Sequence, residues 1–438
     1  MSRAITVTGA VAVDGTPVCV RAVDGVITEV GADVAAHPGD EHVDARGDVL
    51  LRGLVNGHTH AAMTLFRGYG GDRPLMEWLE GWIWPAEARL TDEDVYWGTR
   101  LACLEMIRCG TTRLWDMYWH PVAVARAVHD AGLRATVGPP LIDGLDEARS
   151  KGVCDEAGAL LDELAGVSPR VLPGLAPHGI YTASGATLGW VAEESARRNL
   201  PVQLHFLETA DEVSGCLDRT GQRPTAYLES LGLLSDRLVL AHGVWLDDDD
   251  GARVAAHGST VVTNPVSNLK LAVGKIFPWA LARKHGIAVA LGTDGAASNN
   301  SLDLLADLKV LALLQSFAAD DPAAMPARDV WSIASGARAP VLHRGAGMPV
   351  AEADDVSGAT GDPTAVEVRH AADFFLVRRD APELAPGHVL DNLVYAADHS
   401  VVRTTIVDGR VLMRDGVIED EAEVVARVGE CARRLGVV

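Results

Sequence analysis

No run of eighteen or more uninterrupted apolar residues occurs in this 438-residue chain, which counts against a membrane-spanning helix. The N-terminus lacks the apolar core of a secretory signal. Ile5-Thr6-Val7-Thr8 alternates like a strand instead, which predicts an intracellular, cytoplasmic protein. Cys19, Cys103, Cys109, Cys154, Cys216 and Cys431 include no Cys-x-x-Cys pair, so they read as reduced thiols and not as a disulfide framework. Positive charge is scarce: 38 lysines and arginines, only five of them lysine, face 60 aspartates and glutamates. The net charge of −22 repels phosphate backbones and anionic lipid, so neither nucleic acid nor membrane is expected as a partner. Nor does a Gly-x-Gly-x-x-Gly or phosphate-binding loop follow an early strand, which weakens the case for a doubly wound open sheet.

What is present falls into three regions. Hydrophobic residues make up 48%, enough for a large core, and the length suits one large domain with a smaller one. Residues 1–55 are short alternating runs broken at Asp14-Gly15, Asp24-Gly25 and Gly31-Ala32-Asp33, a hairpin pattern. Strand-like runs then alternate with helical stretches at 49–56, 111–115, 134–142, 171–176, 201–206, 238–241, 260–264 and 288–291. Eight such units predict an α/β fold, a parallel (β/α)8 barrel. The β pattern returns at 373–377, 392–396, 401–407 and 411–413. Residues 1–55 and 365–438 are therefore expected to form a composite β-sandwich domain beside a barrel of residues 56–364. The segment 351–364, rich in Ala, Asp and Gly, reads as an exposed connector.

His58-Thr59-His60 lies at the end of the first barrel strand. Residues i and i+2 of a strand point to one side, so both imidazoles can face one ion. Alone, the motif reads equally well as two polar loop residues. Position is the stronger argument. His178 follows the fourth strand, His205 and His242 end the fifth and sixth, and Asp294 follows the eighth. In such barrels the strand ends converge on one face. A lone buried histidine is ordinarily structural; several strand ends each supplying one are harder to explain that way. His58, His60, His205 and Asp294 make a set suited to one divalent ion, Zn2+ first, with Fe2+ or Mn2+ as alternatives.

Such a centre lowers the pKa of water to about 7, which calls for proton-handling groups nearby. Glu208, three residues after His205, and His242 fit that need. A glutamate in a first helical turn is also a common solvated residue. The turn-rich segments 264–268 and 292–300 border the same mouth. Trp78, Trp82 and Trp84 read either as a helix packed on the barrel or as an aromatic lid over an apolar ring.

Several runs, in order, resemble the amidohydrolase superfamily, in the branch of the 5′-methylthioadenosine/S-adenosylhomocysteine deaminases. They are Asn56-Gly57-His58-Thr59-His60-Ala61-Ala62-Met63, Ile83-Trp84-Pro85-Ala86-Glu87, Ala176-Pro177-His178, His205-Phe206-Leu207-Glu208-Thr209, Ala241-His242-Gly243 and the segment 291–300. The similarity spans about residues 50–345 and returns at 392–416. It implies hydrolytic deamination of an adenosine-type nucleoside to the inosine-type product and ammonia, in a homo-oligomer. It implies His58, His60, His205 and Asp294 as ligands of the ion, and Glu208 as proton donor to a ring nitrogen. His242 would orient the water, Asp294 would shuttle its proton, Glu87 would bind ribose hydroxyls and His178 would contact substrate.

Members of this branch that accept S-adenosylhomocysteine tend to carry a third-strand arginine suited to a carboxylate. Here the matching place reads Val137-Gly138-Pro139-Pro140, with Arg149 as the nearest candidate substitute. Adenosine, 5′-deoxyadenosine or 5′-methylthioadenosine is therefore expected ahead of S-adenosylhomocysteine. The rival readings are a relative acting on a triazine, guanine or pterin ring, and a metal-binding pseudoenzyme. The second is disfavoured because Glu208, His242 and Asp294 are all present. The deaminase fold that edits nucleic acids is excluded, since neither His-x-Glu nor Pro-Cys-x-x-Cys occurs.

Overall fold

The computed structural model describes residues 3–344 and 361–438. β1 (Ala4–Val11), β2 (Pro17–Val23) and β3 (Val26–Gly31) pair antiparallel, and β4 (Glu41–Asp44) joins β1 in parallel. β5 (Val49–Arg52) also reaches β1, after which the chain changes sheet at Gly53. The Gly53 N–H still donates to the Asp373 carbonyl of the first sheet (3.1 Å). One residue on, the Leu54 N–H donates to the Gly110 carbonyl (3.0 Å) and opens β6 (Leu54–Thr59), the first barrel strand. The run read as one strand over 49–56 is thus two strands in two sheets. A Cβ at the crossover would collide with Thr112, so glycine is required there.

The barrel continues through β7 (Thr111–Met117), β8 (Arg134–Gly138) and its extension β9 (Pro140–Leu141), then β10 (Val171–Pro173) and its extension β11 (Ala176–Pro177). β12 (Val202–Phe206), β13 (Leu238–His242), β14 (Thr260–Thr263) and β15 (Ala288–Leu291) complete it. The third and fourth strands, expected to be continuous, are interrupted beside Pro139 and Pro173, where no N–H is available to the ladder. Parallel pairing forms two arcs, joined by the bridges Leu175–Val202 and Gly179–His205. The Asp294 N–H donates to the His58 carbonyl (3.0 Å) and closes the last strand onto the first. Val55, Trp115, Met117, Val239, Val262, Ala290 and Leu342 pack below the mouth, giving it a solid floor.

β16 (Phe374–Val377) pairs with β5 and with β17 (Val402–Val407), which pairs with β18 (Arg410–Met413). The fold is thus an α/β barrel carrying a small β-sandwich domain built by both chain ends. That domain has its own core, including Ile5, Val7, Val20, Ile27, Phe374, Leu376 and Ile406. Of residues 392–396, read as β, 392–395 lie instead in the helix Val389–Tyr395, which buries Leu393 and Val394 and is capped by Ala396. A five-residue run, four of its residues apolar, carries too little periodicity to tell the two apart. The chain finishes in a helix, Glu421–Leu435, held to the barrel helix Asp92–Arg108 by the pairs Arg434–Asp94 and Arg108–Glu421. Of the expected connector, residues 351–360 lie outside the described residues. Among the described residues no helix is long and apolar enough to cross a membrane.

Candidate active site

Four side chains meet on the barrel floor. One ligand atom each from His58, His60, His205 and Asp294 lies within 4.8 Å of every other. His58 comes from β6 and His60 from the residue that follows it, His205 from β12, and Asp294 from the turn after β15.

The tautomers follow from the hydrogen bonds. His60 Nδ1 faces the Met117 carbonyl (2.6 Å) and His205 Nδ1 faces the His178 carbonyl (2.7 Å). A carbonyl only accepts, so both Nδ1 atoms carry hydrogen. His58 Nδ1 faces Gln203 Oε1 (2.7 Å), and the Gln203 amide donates to the Gly57 carbonyl (2.7 Å), which leaves that oxygen to accept. In the neutral rings all three Nε2 atoms therefore turn lone pairs inward. His60 Nε2 and His205 Nε2 stand 3.2 Å apart, and Asp294 Oδ1 lies 3.2 Å from His60 Nε2 and 3.5 Å from His58 Nε2. His58 Nε2 is buried without a hydrogen-bond partner. Facing lone pairs beside a carboxylate repel unless a positive charge sits among them. The donor set fits a divalent cation of the zinc type, with outer partners that fix each ring.

The electrostatics agree. Burial lowers His58 to about 4 and takes His205 well below its ordinary value, so both are neutral at pH 7. Burial also opposes charge on His60, but its bond to Asp294 and that carboxylate's charge outweigh it and raise the imidazole to about 9. Asp294 is likewise buried, yet the His58 and His60 imidazoles beside its Oδ1 hold it well below the usual carboxylate range.

Backbone strain aims two of the groups. Asp294 (φ 62°) and His242 (φ 78°) occupy the left-handed region, uncommon for residues bearing a Cβ. Asp294 is held there by its N–H to His58, and its Oδ2 accepts from Ser267 Oγ (2.6 Å) and Ser298 Oγ (3.0 Å). Asn56 and Thr293 exchange two hydrogen bonds across the same seam (2.8 and 3.1 Å).

A pocket opens above the cluster, lined by Glu208, His242, His178, Tyr181, Glu87, Trp78, Trp84, Met63 and Leu271, among others. His242 Nδ1 meets Asn268 Oδ1 (2.8 Å), while its Nε2 is buried and unpartnered. Glu208 Oε1 is also buried without a hydrogen-bond partner; burial, aided by the Asp294 charge, pushes this carboxyl up to about 8. Glu87 accepts from Tyr118 Oη–H (2.7 Å) and the Trp119 indole N–H (3.1 Å), and burial raises its pKa. His178 Nδ1 bonds Thr182 Oγ1 (2.9 Å).

The structure thus brings every expected site residue to one mouth. Trp78 and Trp84 line the pocket, whereas Trp82 turns away onto Tyr69 and under the Arg73 guanidinium (4.5 Å). Arg149 is exposed on the helix Glu147–Leu164 and does not line the pocket. Sequence reasoning missed Gln203, Tyr118 and Trp119. Gln203 shares a strand face with His205, and Tyr118 and Trp119 directly follow β7, so period and position could have found them. Ser267 and Ser298 lie in the two turn-rich segments flagged beside the mouth.

A (β/α)8 barrel with an imidazole–carboxylate cluster at its strand ends defines a class of metal-site hydrolases. The model of the amidohydrolase family matches residues 49–344, and the chain belongs to that family. Its enzyme class is that of hydrolases acting on carbon–nitrogen bonds of cyclic amidines. It is 42% identical over 414 residues to a 5′-deoxyadenosine deaminase of Methanoregula boonei, covering 93% of this chain and 90% of that one. It is 37% identical over 395 residues to a 5-methylthioadenosine/S-adenosylhomocysteine deaminase of Pyrococcus furiosus, covering 90% of each. A crystal structure of an adenosine deaminase from Xanthomonas campestris, with bound zinc, superposes with a TM-score of 0.84 at 32% identity, covering 99% of this chain and 98% of that one.

Proposed function

We propose that this protein is a zinc-dependent deaminase of adenosine-type nucleosides, with His58, His60, His205 and Asp294 as the ligands. The observation that carries the reading is the placement of a buried carboxyl without a hydrogen-bond partner (Glu208) and an unpartnered imidazole nitrogen (His242 Nε2) over the inward-facing cluster. The relatives named for deamination of adenosine-type compounds support it.

When bound, the ion supplies a water activated near neutral pH. His242 Nε2 would accept a hydrogen of the attacking water and so orient it. Glu208, kept protonated by burial, gives its proton to the ring nitrogen beside the carbon under attack. Asp294, already ionised, takes a proton from the water and passes it to the amino group, which leaves as ammonia. A C6–O bond forms as the C6–N bond breaks, and the remaining hydrogen of the water passes to the Glu208 carboxylate, which restores the acid and leaves the C6 carbonyl of the inosine-type nucleoside. Glu87 receives ribose hydroxyls on the lone pairs that Tyr118 and Trp119 leave free, and His178 closes the ring side of the pocket.

No lysine or arginine is among the described residues lining the pocket. Adenosine, 5′-deoxyadenosine and 5′-methylthioadenosine are therefore favoured over S-adenosylhomocysteine, whose carboxylate would find no cationic partner there. The test is ammonia release from metal-replete protein across these four nucleosides, with guanine and an aminotriazine as controls. Turnover of a control without nucleoside turnover rejects the function. A strong preference for S-adenosylhomocysteine rejects the specificity.

A further inference from the structure

Glu212 is buried at the third position of the helix Ala210–Thr220, and its N–H donates to the side chain of the N-cap residue Thr209 (3.2 Å). In an ordinary capping box the glutamate at this position returns its carboxylate to the N–H of the cap residue. Here the carboxylate reaches further back. Oε1 accepts from the Leu207 N–H and Oε2 from the Glu208 N–H, each at 2.9 Å. Leu207 sits at φ 48°, a left-handed conformation that a side chain seldom takes and that its surroundings must hold. Glu208 follows it, with Oε1 lacking any hydrogen-bond partner. A carboxyl whose tip is not fixed by the protein is aimed by its backbone; the Leu207 carbonyl of that turn accepts from the Trp245 N–H (2.9 Å), and both of its N–H groups are held by Glu212.

We propose that Glu212 is the positioning residue of Glu208: its two oxygens lock the turn at Leu207 and so set the point from which Glu208 meets the substrate ring. The assignment rests on the reading of Glu208 as proton donor. Glu212 acts through that residue and transfers no proton itself.

Glu212→Gln keeps the volume but exchanges one acceptor oxygen for an amide, so one of the two N–H groups loses its partner. The expected result is a kcat lower by about 10- to 100-fold, with KM and bound metal near wild type. Thr209→Ala weakens the same helix start without touching either bond, and should lower Tm while kcat stays within about twofold. A double-mutant cycle decides the matter: in a Glu208→Gln background, Glu212→Gln should cost no further activity. Additive losses, a wild-type kcat in Glu212→Gln, or an equal kcat loss in Thr209→Ala would reduce Glu212 to a structural cap and overturn the proposal. Wild-type turnover in Glu208→Gln alone would instead reject the proton-donor reading and take this assignment with it. Should Glu212→Gln not fold, Glu212→Asp, whose shorter carboxylate spans the two N–H groups less well, enters the same cycle.

Discussion

At His60, burial and a neighbouring carboxylate pull in opposite directions, and the carboxylate wins. In the metal-free protein its proton, retained up to about pH 9, occupies the place a cation needs. Protons therefore compete with metal below that value. The Zn2+ affinity of the apo protein should rise by about tenfold per pH unit up to about 9 and then level off, as read by competition with a chelator at each pH. Affinity independent of pH would contradict the assignment. The same shift fixes a sign for stability. Because the folded pKa is raised above the ordinary 6.5, the contribution of His60 to the apo fold is complete below 6.5 and is lost as pH climbs through about 9. Glu208→Gln keeps the shape but cannot give up a proton, so kcat should fall by about 10^2- to 10^4-fold while the metal content measured by emission spectroscopy stays unchanged. Loss of metal together with activity would move Glu208 from proton transfer to a structural role.

Among the elements, the strands place the chemistry and the turns after them tune it. Gly292, between β15 and Asp294, shows how tight that junction is: an added Cβ would stand 2.9 Å from both the backbone nitrogen and oxygen of His58. Gly292→Ala should push β6 and β15 apart, destabilise by about 1–3 kcal/mol and weaken metal retention, measured by denaturant unfolding and by metal content after gel filtration. Unchanged metal retention would mean that the seam tolerates the shift. The strand ends were the legible part of the sequence. His58, His60, His205 and His242 stand at the close of apolar runs, and alternation in β-structure says which residues share a face. What the sequence hid depends on the third dimension. Gly53 moves the chain between sheets because Thr112 crowds it, a contact with a residue far along the chain. The helix Val389–Tyr395 looks like a strand because its apolar run is too short for a period to emerge. Glu212 looks like a capping-box residue until its carboxylate is seen to pass the cap by.

For the whole molecule, the barrel and the chain-end sheet are pinned by charge at the base of β8. The Arg134 guanidinium, 1% exposed, bonds Asp373 (2.7 Å) beside β16 and Asp408 (2.9 Å) in the turn before β18. Asp408 also meets Arg3 (3.1 Å) from the other chain end. Removing one member of a buried pair strands the other charge, so Arg134→Met should cost about 3–5 kcal/mol in calorimetric or denaturant unfolding. Bound metal in the surviving folded fraction should be unchanged, since the cluster lies at the opposite end of the barrel. A cost below about 1 kcal/mol would show that the two carboxylates are adequately solvated without it.

The closure of β15 onto β6 has a bearing on biosynthesis. The proposed ligands come from the opening stave, the fifth and the turn beyond the eighth, so a nascent chain carries imidazoles long before it carries the carboxylate. Cation capture at full strength must wait until the last stave has left the ribosome and docked, and only a finished barrel gains the stabilisation that a bound ion confers. A cell short of the proposed ion would thus accumulate complete but unclasped chains, and a product truncated before Asp294 would lack the carboxylate with which to compete for it.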